Sequence, residues 1–205
     1  VFGFAYVAMA LCHRATPFAS RDNSWNDWLG VMLSGPTLYM LATRHTLLPF
    51  EQKPLHAAAW NILGFGLPFF IALHWEYAEK ITGASFSLTA DHLSHLSTAS
   101  KVAIVVGLTI AVAITALCIR KAYRLKILAP YLGSFAALVV TLIIITLALG
   151  PRYHVHIHHY FLTLCLVPFV RFRHPICLVT QAMLLGAYVE GASRWGLSPI
   201  WILSR

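Results

Sequence analysis

Charge is scarce in this chain. Of its 205 residues only 11% are Asp, Glu, Lys or Arg, less than half the roughly 25% that soluble domains carry. A chain that is also 59% hydrophobic has too little polar surface to cover a core in water. Acids are scarcest, seven against fifteen lysines and arginines. Cysteine is nearly absent too: Cys12, Cys118, Cys165 and Cys177 form no CxxC pair. Set in or beside apolar segments, they read as buried thiols rather than a disulfide framework. There is no internal repeat, no low-complexity linker and no phosphate-binding loop. What remains, at mean hydropathy +0.71, is an all-α polytopic membrane protein, residues 1–205 forming one transmembrane helical domain.

The chain opens on Val1 inside the apolar run "VFGFAYVAMALC", so it is expected to be part of a longer precursor. The run has neither a basic n-region nor a small-x-small cleavage site and is not read as a signal peptide. A bilayer core takes about 20 apolar residues per helix. Residues 101–119 and 130–149 satisfy this with no internal charge. Residues 54–75 are long enough, with a loosened or kinked turn expected at "GFGLP" (64–68), where glycine and proline weaken the hydrogen-bond ladder. Residues 28–43 form a shorter run, broken by "SGP" at 34–36. After Gly150, Pro151 suits a first helical position, so 151–170 is expected as another span. "RFRH" (171–174) then makes a tight hairpin into a last span, 175–195. With the opening run the count is seven, or six as the alternative.

The loop charges alternate with this count. Arg44, Lys53, Arg120, Lys121, Arg124, Lys126, Arg171 and Arg173 fall on one side with the single acid Glu51, while Asp22, Asp27, Glu76, Glu79, Asp91 and Glu190 fall on the other. The lysine and arginine bias assigns the first set to the cytosolic side. Because the basic residues sit in short loops, membrane lipids and other membrane subunits are the expected partners, and nucleic acid is not.

Most histidines fall on the opposite, non-cytosolic face. "YHVHIHHYF" (153–161) packs His154, His156, His158 and His159 into six positions. On a helix His154 and His158 share one face and His156 and His159 another; in an extended segment His154, His156 and His158 align. His92 and His95 in the outer loop add an HxxH pair, and His13, His74, Glu76, Asp91 and Glu190 join them on that face. Imidazoles with carboxylates suit Zn, Fe or Cu. Glu76 and Glu190 are then the candidate ligand or general base, the catalytic residues of the reading. The set of separated HxxxH and HxxHH boxes used by membrane desaturases and hydroxylases is absent, which tells against a di-iron site. Haem held by His74 and His158 and a proton relay are further alternatives, as are plain interfacial histidines. His45, His56 and His174 read as interfacial, and the tryptophans mostly as interfacial anchors.

In "QAMLLGAYVEGASRWG", Ala182, Gly186 and Glu190 recur every fourth residue, a stripe that permits close helix approach. Glu190 either pairs with Arg194 one turn on or faces the bundle as a functional acid. The block 154–196, "HVHIHHYFLTLCLVPFVRFRHPICLVTQAMLLGAYVEGASRWG", resembles the C-terminal block of eukaryotic multi-pass membrane proteins that carry "LHIHHW" followed by "ARWG". Tyr160 stands where those have tryptophan and Ser193 where they have alanine. That group has no established activity, and the resemblance implies only that motif and hairpin form a unit. Two functions remain: a membrane enzyme or metal-handling protein, and a non-catalytic subunit of a larger assembly.

Overall fold

The computed structural model describes Thr46 and residues 54–74, 98–150, 153–155, 159–195 and 201–203. Among them are four helices long and apolar enough to cross a membrane: Leu55–Leu73, Ser100–Arg124, Leu128–Leu149 and Pro175–Ala192. The expected spans in the opening run and at 28–43 lie outside the described residues.

The first crossing is made of three pieces, α1 (Pro54–Ala59), a π-helical stretch (Trp60–Gly66) and α2 (Leu67–Leu73). This is the form taken by the disturbance expected at "GFGLP". Pro68 has no N–H for the carbonyl four residues back, and the backbone widens so that the Leu67 N–H reaches the Ile62 carbonyl, five back.

Helix α3 (Thr98–Arg124) and helix α4 (Leu128–Leu149) follow. At 27 residues, α3 is about 40 Å long, more than the roughly 30 Å hydrocarbon core, and its last turn carries Lys121 and Arg124. The chain reverses there in a Schellman turn: Ile127 N–H bonds to Ala122 O and Lys126 N–H to Tyr123 O, each at 3.0 Å. Lys126 holds φ 58° in the left-handed region, where glycine is usual. Ile127 packs over Ala122 in the cluster below the turn. At the other end of α4, Gly150 (φ 75°) closes the helix with its N–H on Leu147 O.

The expected span over 151–170 is corrected. Its described part is a strand, β1 (Tyr153–Val155), a short helix, α5 (His159–Leu166), and one 3-10 turn, Val167–Val170. Two local causes act. Tyr153, Val155 and Ile157 alternate with histidines, a period of two that suits a strand. Pro168 cannot donate to the Leu164 carbonyl, so the helix tightens one residue before it. β1 pairs antiparallel with β2 (Trp201–Leu203), in register Tyr153 to Leu203, His154 to Ile202 and Val155 to Trp201. The described fold is thus helical apart from this two-stranded ribbon.

The hairpin at 171–174 leads into α6 (Pro175–Trp195), with the bounds the sequence predicts. Here Nδ1 of His174 accepts the Ile176 N–H (3.3 Å), an N-cap ahead of Pro175. Helix α6 is the centre of the described core. One cluster joins it to α2 and α5 through Phe69, Leu73, Tyr160, Ala182, Tyr188, Val189 and Ala192. A second joins it to α3 and the hairpin through Cys118, Ala122, Val170, Phe172 and Cys177. Cys118 and Cys177 are buried free thiols, as the sequence predicts, while Cys165 is free but only half-buried and Cys12 lies outside the described residues. By contrast α3 and α4 turn Leu108, Val112, Ile144 and Leu147 outward, faces that hydrocarbon would cover. Three of their threonine hydroxyls are satisfied within the helix: Thr109, Thr115 and Thr146 donate to the carbonyl four residues back at 2.7–2.8 Å.

Candidate functional site

The small-residue stripe of α6 is the seam against α2. Ala182 is wholly buried. A Cβ added at Gly186 would collide with the Phe69 carbonyl oxygen and lie 2.8 Å from the Ala72 Cβ, so the two helices touch backbone to backbone there. Glu190, one turn further along the same stripe, is only 4% exposed. A carboxyl taken that far out of water needs hydrogen-bond partners, an opposite charge or a proton. Its burial favours the bundle-facing reading over a solvated edge pair.

Leu73, Tyr160 and Val189 belong to one buried cluster. They are the sequence neighbours of His74, His159 and Glu190. The end of α2, the start of α5 and the last turns of α6 therefore meet at one end of the bundle. His74 lies at the C-terminus of α2, and its Nδ1 is 2.8 Å from the Phe70 carbonyl oxygen. A carbonyl only accepts, so Nδ1 is the donor in this bond. Metal-ligating histidines commonly show this arrangement, in which the second nitrogen donates to a carbonyl or carboxylate; the same bond also caps the helix end.

Of the other predicted site residues, His154 sits in β1 opposite Ile202, and His159 is the first residue of α5. Glu76, His92, His95, His156 and His158 lie outside the described residues. Among the described residues no three His, Cys, Asp or Glu side chains form a group that could hold a metal ion.

A feature not identified from the sequence lies at the opposite end of α6. Lys121 and Arg124 of α3 and Arg171 and Arg173 of the hairpin, which the sequence reading uses only as markers of membrane orientation, line one cavity. Two basic loops on the same side, each within a few residues of a helix end, were the available signal. Compared with protein-family models, curated proteins and solved structures, the chain matches none.

Proposed function

We propose that this is a multi-pass membrane protein that holds a transition metal ion at the bundle end formed by α2, α5 and α6. His154, His156, His158 and His159 serve as the ligand supply, with His92 and His95 completing it. Glu190 is the buried carboxylate of the site and His74 an additional imidazole; Glu76, two residues beyond His74, is a second acid in reach by sequence. The observation that carries this reading is the shared cluster of Leu73, Tyr160 and Val189, which gathers the chain neighbours of two histidines and the buried acid. Neutral imidazoles and carboxylates form a borderline N/O donor set that suits Zn, Fe or Cu. A bound ion would polarise an oxygen of a lipid-borne substrate or support redox chemistry. The chain's own part is to orient the imidazoles, exclude water through the α2–α6 seam and present the Glu190 side chain there.

The test is elemental analysis and absorption spectroscopy of detergent-purified protein. The expected result is stoichiometric metal that His156→Ala with His158→Ala removes while the protein stays folded and monodisperse. Protein without stoichiometric metal or a coloured cofactor overturns the proposal. A second reading, a non-catalytic subunit, is favoured by the broad outward apolar faces of α3 and α4. Under it the double histidine variant changes nothing, and crosslinking in the native membrane captures α3 or α4 against another polypeptide.

A further inference from the structure

At the basic end of the bundle, the last turn of α3, the α3–α4 turn and the α5–α6 hairpin enclose a cavity of about 610 Å³, lined by Lys121, Arg124, Arg171 and Arg173 together with Ile127 and Phe172. Four cations face one space, and the one acid among the described residues, Glu190, lies some 15 residues along α6 from Pro175, about 22 Å away. Arg124, Arg171 and Arg173 are exposed there, and the summed field of four cations around one cavity attracts an anion.

A second cavity of about 580 Å³ opens from the first. The two share Ile127, Arg171 and Phe172, and the second runs between α4 and α5 past Tyr131, Phe169 and Cys165 to Leu138. Its walls are fixed by aromatic contacts: Tyr131 donates its hydroxyl to Phe169 O (3.1 Å), and Phe135 meets Phe169 edge-on at 5.2 Å. From Ile127 to Leu138 the helix advances about 16 Å, close to one leaflet of a roughly 30 Å hydrocarbon core. A cationic pocket at the helix ends that continues into an apolar groove one leaflet deep has the two halves of a lipid.

We propose that Lys121, Arg124, Arg171 and Arg173 bind the phosphate-bearing headgroup of an anionic phospholipid, with one acyl chain lying in the groove along Tyr131, Phe169 and Leu138. The guanidinium groups give forked hydrogen bonds to phosphate oxygens, and Lys121 adds a point charge. This site is independent of the metal site at the other end of α6.

The test titrates purified protein in neutral detergent with fluorescently tagged phosphatidylinositol 4-phosphate. Expected is saturable binding that unlabelled phosphatidylinositol 4-phosphate displaces and that phosphatidylcholine, inorganic phosphate and glycerol 3-phosphate do not. Arg171→Ala with Arg173→Ala should weaken binding about thirtyfold, at roughly 1 kcal/mol per cation near a membrane surface. Arg171→Lys with Arg173→Lys should stay within about threefold. Arg120→Ala with Lys126→Ala removes the same charge from exposed positions outside the cavity and should stay within about twofold. Equal loss in that control pair means diffuse attraction and overturns the site; so does equal binding of phosphatidylcholine. Displacement by inorganic phosphate as effective as by the lipid makes the pocket one for a soluble anion and overturns the lipid assignment.

Discussion

Replacing Gly186 by alanine adds a single methyl group at the tightest place in the described bundle. That carbon would stand against the Phe69 carbonyl oxygen, 2.8 Å from the Ala72 Cβ and 3.2 Å from the Phe69 carbonyl carbon, where carbons normally rest at about 3.5–4.0 Å. None of these atoms is the far end of a flexible side chain, so α2 and α6 must part by about 1 Å. Overpacking of this kind costs about 1–3 kcal/mol, and the better helix propensity of alanine returns up to about 1 kcal/mol. The expected net loss is about 1–2 kcal/mol, a five- to thirtyfold shift towards the unfolded state. Gly107→Ala and Gly133→Ala make the same chemical change where a Cβ meets nothing within 4 Å, and they should be neutral or stabilising. Unfolding by sodium dodecyl sulfate in mixed micelles, followed by tryptophan fluorescence and circular dichroism, measures all three. Ala72→Gly added to the Gly186 variant should recover part of the loss. If Gly186→Ala is as stable as Gly133→Ala, the seam does not close as described.

Three further outcomes follow from local geometry. Lys126→Gly relieves a left-handed backbone angle that disfavours L-residues by roughly 1–2 kcal/mol; after the extra chain entropy of glycine, a stabilisation of about 0.5–1 kcal/mol is expected in the same micelle assay. His174→Ala removes the side-chain acceptor at the start of α6 and should destabilise by about 0.5–1 kcal/mol, with His174→Asn restoring the loss. Glu190→Gln, nearly the same size, should leave folding intact and weaken metal retention in equilibrium dialysis, whereas a large loss of folding with metal retained would assign the carboxylate to structure alone.

Much of the fold was legible because apolar length and terminal punctuation act locally. The expected 130–149 became Leu128–Leu149 and 175–195 became Pro175–Trp195, since "GP" after the first and "RFRH" before the second end helices through the backbone itself. The span over 151–170 failed for a local reason that was also on view: the alternating "YHVHI" competes with helix, and Pro168 interrupts what is left. The basic cavity was legible only as two basic loops on one side, not as a single shared space. It needs the turn after α3 to meet the hairpin before α6, and that meeting is decided by Cys118 and Ala122 packing on Val170, Phe172 and Cys177, partners far apart in the chain.

The two readings of Glu190 were balanced in the sequence because a stripe of small residues says that a helix is approached, without saying how closely. The approach at Gly186 adds the distance. A neighbouring backbone in contact with one residue of a helix also overhangs the residue four further on, since the two lie on one face about 6 Å apart. Glu190, one turn beyond that contact on the same stripe, is 4% exposed. The same contact brings the end of α2, with His74, towards the last turns of α6. The glycine that tightens the seam thereby holds an acid and an imidazole at the same bundle end, and widening the seam at Gly186 should perturb that end as well as the stability of the protein.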